Sequence, residues 1–315
     1  MTRLGDSIKR QGRWNEALDC YQQALELDQA LGDNDAETID LQDIASIFEE
    51  QGRFSEALDL YIKCVQILGD STDRDRGAKL ISNAASCMSM MGRMDEAIPL
   101  LELALKLRTN PQSLGYATTL TTLGSVLRRQ GKLEEAGKAF AQALNIVSDL
   151  KDFYLKSVLV NHFGTLYYEK GQFDEAKQNY QIALEMKHQL GDLKGVGVVL
   201  NNMGMLFEKM SLLDDAAAEL WKSLKIRQQL GDVRGIAVTS NNLGNVYFGL
   251  EQHQTALQKY LESIKLCREV GILDVQIISL RRIAVLYRTM GDIENTEAAE
   301  AEILELEGKT NEKQR

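Results

Sequence analysis

Seven asparagines and four arginines carry the chemistry that this 315-residue chain could perform. Asn83, Asn161, Asn201, Asn202, Asn241, Asn242 and Asn245 fall in segments patterned as helix interior. There Asn is a poorer choice than Ala, Lys or Glu by roughly half a kcal/mol. A carboxamide offers one donor group and one acceptor, the complement of the N–H and C=O of an extended peptide. A row of them can hold a backbone irrespective of its sequence. The alternative is that these amides join adjacent helices and bind nothing. Arg128 lies mid-chain, and Arg281, Arg282 and Arg288 lie toward the far end, with Arg281 and Arg288 seven residues apart on one helical face. Guanidinium groups so spaced can fork onto carboxylates or phosphates of a ligand; a solvated terminal face is the other reading. Asp43, Glu49 and Glu50 give the opposite charge toward the amino-terminal end.

A repeat underlies the placement of all these residues. A turn glycine recurs at Gly12, Gly52, Gly92, Gly131, Gly171 and Gly291, and the same step lands on Ser211 and Glu251, which keep the frame without the glycine. Seven residues before each turn stands a small residue: Gly5, Ala45, Ala85, Gly124, Gly164, Gly204, Gly244 and Ala284. Nine after it stands a large one, Tyr21, Tyr61, Leu101, Phe140, Tyr180, Leu220 or Tyr260, and only Glu300 departs. Eight copies with a period near forty residues mark a stacked array in which neighbours supply the core that one copy lacks.

Each copy is predicted to be a helical hairpin, because apolar residues recur at three and four in both halves, for instance at Val196, Val199, Leu200 and Met203. Asn15, Ser55, Asp95, Asp174 and Asp214 stand where a short oxygen side chain can cap the second helix. Leu-Gly-Asp at 31–33, 68–70, 190–192 and 230–232 predicts a left-handed closing glycine and an aspartate that caps the next helix.

The frame of Leu-Gly, turn Gly, acidic-Ala, Tyr/Phe and Ala-Leu resembles the tetratricopeptide repeat over essentially the whole chain. The forty-residue period, with Asn241-Asn242-Leu243-Gly244 and Asn201-Asn202-Met203-Gly204, is similar to the repeats of LGN/Pins polarity proteins and kinesin light chains. The early Trp of that repeat is absent, and its closing Pro occurs only as Pro111. The resemblance implies an all-α, right-handed superhelical solenoid of about eight antiparallel helix-turn-helix repeats, with first helices lining a concave groove. On that frame the asparagines and arginines above face the groove. The implied function is a non-enzymatic adaptor or scaffold that binds a peptide segment of a partner protein, one with an acidic segment suiting the far arginines. Asn202→Ala with Asn242→Ala is then expected to weaken binding and leave thermal unfolding nearly unchanged. Self-association, through Leu4 and Ile8 of a short first hairpin, and a receptor for a small signalling peptide are the alternatives.

Other classes fit poorly. A formal charge of −10 argues against nucleic acid, whose phosphates need clustered Lys and Arg. Cys20, Cys64, Cys87 and Cys267 lack metal-site spacing and suit reduced thiols in a cytoplasmic protein, with Cys20 and Cys64 packed in the core. No P-loop or H-E-x-x-H occurs, Gly195-Val196-Gly197 follows no strand, and His162, His188 and His253 sit at different places in the frame, so neither an enzyme nor a cofactor is expected. No apolar run is long enough to span a membrane. Residues 1–307 are expected to form a single solenoid with a short first hairpin and a capping last helix, and residues 308–315 a flexible tail.

Overall fold

The computed structural model describes residues 2–10, 13–69 and 73–312, and among them every regular element is an α-helix. Two compact units divide the chain between Met186 and Lys187. The first holds α1 (Thr2–Arg10) with α2 (Trp14–Leu31), α3 (Asn34–Glu50) with α4 (Phe54–Leu68), α5 (Arg74–Met90) with α6 (Met94–Leu107), α7 (Leu114–Arg129) with α8 (Leu133–Leu150), and α9 (Phe153–Glu169) with most of α10 (Phe173–Gln189). The second holds α11 (Leu193–Lys209) with α12 (Leu213–Leu230), α13 (Val233–Gly249) with α14 (His253–Val270), and α15 (Leu273–Thr289) with α16 (Ile293–Glu312). The first helix of the opening hairpin has 9 residues where α3 has 17. No helix among the described residues is long and apolar enough to cross a membrane.

Within a hairpin the small slot and the large slot meet. A β-carbon built on Gly244 would lie 2.5 Å from the Tyr260 ring, and one on Gly164 would lie 2.6 Å from Tyr180. Gly5 with Tyr21, Gly124 with Phe140 and Gly204 with Leu220 repeat the arrangement. The absence of a side chain lets the large residue of the second helix press onto the backbone of the first, and Tyr21, Phe140 and Leu220 become fully buried. Ala45 with Tyr61, and Ala85 with Leu101, share core clusters in the same way. Glu300 keeps its carboxylate exposed, and Ala299, Ile303 and Leu306 supply the core of that hairpin instead.

The turns hold their frame. Gly52, Gly92, Gly131, Gly171 and Gly291 are left-handed, and so are Ser211 (φ 61) and Glu251 (φ 60), where a side chain makes that conformation costly. Gly12 lies outside the described residues. Asp33, Asp192 and Asp232 accept from the amides of Ala36, Gly195 and Gly235 at 3.0, 2.8 and 2.9 Å, each after a left-handed glycine. Asp70 lies outside the described residues, and Asp73 caps α5.

The capping expected of Asn15, Ser55, Asp95 and Asp214 is overturned. Their helices already begin at Trp14, Phe54, Met94 and Leu213, the cap positions are Arg13, Arg53, Arg93 and Leu212, and none makes a side-chain cap bond. Asp174 likewise sits inside the first turn of α10. These residues stand two places past the cap position, inside the first turn, where the acids favour the helix dipole. Arg13, Arg53 and Arg93 instead bind Glu16, Glu56 and Glu96 three residues on, their Nε donating at 2.7, 2.6 and 2.7 Å.

The segment 308–315, expected as a tail, is helical backbone through Glu312, and 313–315 lie outside the described residues. Cys64, Cys87 and Cys267 are fully buried and Cys20 is half-buried. Burial pushes the Cys64 thiol up to about 11 and the Cys267 thiol up to about 12.

Candidate functional site

In the second unit α11, α13 and α15 are the first helices, and polar side chains join each to the next. Thr239 Oγ1 and Asn242 Nδ2 donate to Asn201 Oδ1 at 3.2 and 3.1 Å. Ser279 Oγ donates to Asn241 Oδ1 at 3.1 Å and lies 2.9 Å from Ser263 Oγ. Asn201, Asn241 and Asn242 are all buried. A buried amide without partners would cost about 1–3 kcal/mol, so these bonds set how the first helices sit against each other. The three amides therefore perform the joining role that the sequence left open, and Asn242 is no residue to substitute without loss of stability.

Asn245 is placed differently. Half-buried on α13, it accepts the Tyr260 hydroxyl on Oδ1 at 2.9 Å, and its Nδ2 donates to none of the described residues. Tyr260 threads from α14 over Gly244, so its hydroxyl emerges on the face made by the first helices. Glu208 of α11 is half-buried, and burial raises its carboxyl against the opposing charges of Arg282 of α15 and Lys209. Asn202 is half-buried and engaged within the protein. Arg281 and Arg288 turn to α16, donating to Glu307 and Glu300. The acidic last helix packs across α15 and takes up the guanidinium groups expected to meet a ligand.

In the first unit the same threading brings Tyr180 to Thr165 Oγ1 at 3.2 Å and Tyr21 to Asp6 Oδ1 at 2.7 Å. Tyr61 and the Cys87 thiol both donate to Glu49, each at 3.2 Å, and burial raises the Glu49 carboxyl. Ser82 and Thr119 join α5 to α7 at 3.2 Å, in the register that Asn201 and Thr239 use in the second unit. Asn83 is half-buried; Asn161 is half-buried and engaged within the protein. Arg128 pairs with Glu169 from α7 to α9. His162 stacks on Phe140 with ring centroids 5.1 Å apart, and burial, then Arg128, lowers its pKa to about 4.

Sequence reasoning missed Tyr260 and Glu208. The tyrosine slot reads as core, and only the three-dimensional path over glycine shows that its hydroxyl reaches the first-helix face. Glu208 occupies a row that varies from Glu49 to Arg128 to Phe248, so one copy gave no signal. Among the described residues no group of three His, Cys, Asp or Glu side chains could hold a metal.

Three profiles described as tetratricopeptide repeat match residues 1–69 and 78–149, 159–189, and 236–270. No curated protein matches. Among solved structures, a Rap protein complexed with Competence and Sporulation Factor is similar at TM-score 0.74 and 14% identity, covering 95% of this chain and 81% of that one. The apo quorum sensor NprR from B. thuringiensis is similar at TM-score 0.64 and 18% identity, covering 97% of this chain and 85% of that one. The APC/C hetero-tetramer Cut9-Hcn1 gives TM-score 0.63 at 15% identity, covering 96% and 51% respectively.

Proposed function

The chain belongs to the tetratricopeptide repeat family, and we propose from this that it is a non-enzymatic adaptor holding an extended peptide segment of a partner protein on the first-helix face of its second unit. The observation that carries this reading is Asn245. Its carbonyl is fixed by Tyr260 while its two N–H donors remain unspent, a rigid amide aimed at a backbone acceptor. Asn201, Asn241 and Asn242 are buried in packing, so the recognition surface is narrower than the row of asparagines suggested. The Rap protein was solved with Competence and Sporulation Factor and NprR is a quorum sensor, which supports a peptide ligand for this fold.

The reading is tested by selecting a displayed random dodecapeptide library on the full chain and measuring synthetic copies of the enriched peptides by fluorescence anisotropy. Asn245→Ala is expected to weaken them about tenfold, while Tyr260→Phe, which loses the same internal hydrogen bond and keeps the amide, weakens them less. Failure of any peptide to enrich, or equal binding to Asn245→Ala, overturns it.

Self-association is favoured by a separate observation. Leu4 of α1 is 52% exposed, whereas Ile44, Met203, Leu243 and Ile283 at the same place in the frame are buried. Sedimentation velocity at two concentrations decides: a monomer at both removes this second reading.

A further inference from the structure

Helices α1 and α16 each present one half of the junction that joins successive hairpins. In that junction the second helix of one hairpin packs against the first helix of the next, as α8 does on α9, α12 on α13 and α14 on α15. Three pairs of frame positions define it. Ile264 of α14 and Ile283 of α15 share one core cluster. A β-carbon built on Gly249 of α13 would lie 3.2 Å from Leu213 of α12, and one built on Gly137 of α8 would lie 3.3 Å from Leu166 of α9.

On α16, Leu304 keeps the slot of Ile264 and Ile293 keeps the slot of Leu213, yet they are 70% and 71% exposed. In every earlier copy, from Leu25 to Ile264, the first of these slots is apolar and buried or half-buried, and the second is half-buried from Trp14 to His253. Val285, Ile303 and Leu304 line an open groove of about 520 Å³ between α15 and α16. The complementary half lies on α1. Leu4 keeps the slot of Ile283 and is 52% exposed, and Ser7, also exposed, keeps the slot of Leu166. The nine residues of α1 therefore span all three pairs, with Leu4 matched to Leu304, Ser7 to the exposed Glu297, and the last turn of α1 to Ile293.

Charge decides which halves meet. The sequence of α16 holds seven acidic residues and one basic, and that of α1 holds three basic and one acidic. Two α16 faces would repel, as would two α1 faces, whereas α1 on α16 is favoured. At the Ser7–Glu297 pair a hydroxyl donor meets a carboxylate, so the polar residues that replace apolar ones there suit each other.

We propose that the α15–α16 face of one copy receives α1 of a second copy, Leu4 covering Leu304, so that the contact between copies repeats the junction between hairpins. This rests on the self-association reading above and adds the surface that takes up Leu4. The contact is heterologous: a pair so joined keeps one α1 and one α16 for further copies, and association is not limited to two.

The test is sedimentation velocity of the full chain at two concentrations, for wild type, Leu4→Glu, Leu304→Lys and an equimolar mixture of the two variants. Wild type is expected to sediment faster at the higher concentration. Each variant alone brings like charges together across the junction and should dissociate about tenfold more readily. In the mixture the intact α1 of Leu304→Lys meets the intact α16 of Leu4→Glu, and a two-chain complex should reappear. Association lost in Leu4→Glu but kept at the wild-type level in Leu304→Lys, or a mixture that stays dissociated, overturns this inference and leaves self-association through Leu4 standing. Association unchanged in Leu4→Glu, or a wild type monomeric at both concentrations, overturns both. Both substituted positions are exposed, and circular dichroism at the lower concentration, unchanged from wild type, ties any loss to the junction.

Discussion

The ring of Tyr260 lies so close over Gly244 that a β-carbon there would sit 2.5 Å from its Cε1. One contact thus does two things. It closes the α13–α14 hairpin, and it carries a phenol hydroxyl through to Asn245 on the opposite side of the first helix. The core and the candidate site are joined by one side chain.

Gly244→Ala is therefore expected to destabilise the second unit by about 1–3 kcal/mol, because the added methyl displaces a packed ring. Tyr260→Phe keeps the packing and loses one hydrogen bond, about 1 kcal/mol. Urea unfolding of the two variants tests the order: a Phe variant weaker than the Ala variant would mean that the hydroxyl, not the close approach, holds the hairpin.

Ser211→Gly and Glu251→Gly remove side chains from left-handed turns and are each expected to stabilise by about 0.5–1 kcal/mol. The two turns are a full repeat apart, so their effects should add. Chemical denaturation of the single and double variants measures it, and a destabilised double variant would count against strain at these positions.

Asn242→Ala removes a donor from Asn201 in a buried junction and should cost about 1–2 kcal/mol. Asn245→Ala leaves the junctions intact and should cost less. Thermal unfolding of the pair separates an amide that joins helices from one that faces outward; equal losses would contradict the division.

Two titrating groups, half-buried His162 and buried Asp40, give stability opposite dependences on pH. His162 titrates in the unfolded chain near 6.5 and in the fold near 4, held neutral by burial and by Arg128, so its contribution is complete above pH 6.5 and is lost as pH falls toward 4. Asp40, fully buried against Thr2 and raised to about 6 by burial, by Asp28 and by Asp43, contributes below its ordinary pKa of 3.8 and loses that contribution as pH rises through 6. Melting temperatures from pH 4 to 7.5 should rise more gently with pH in His162→Gln, and more steeply in Asp40→Asn, than in the wild type. A wild-type slope retained by both variants would assign the pH dependence elsewhere.

Much of the fold was legible because the frame forces it. Small and large slots recur at one distance, and Ser211 and Glu251 hold the turn their position demanded even without glycine. The site was less legible for a physical reason. Asn241 offers the same donor and acceptor whether it meets Ser279 on the next helix or a ligand, and its partner is 38 residues away. Pairing of polar residues in matched frame positions, as at Ser82 with Thr119 and Asn201 with Thr239, was the one signal that could have told these apart. Arg281 and Arg288 misled similarly, since their carboxylates come from the acidic run of α16. The helix caps were misplaced by two residues, which a periodic pattern cannot resolve.

The enclosed sulfur atoms give each unit its own reporter. Cys87 lies between α3 and α5, and Cys267 lies in the cluster between α13 and α15. As reluctant thiolates shut away from solvent, they should meet iodoacetamide only when the surrounding helices part. Alkylation rates read residue by residue would then time the breathing of the two halves independently, in one tube and without a dye.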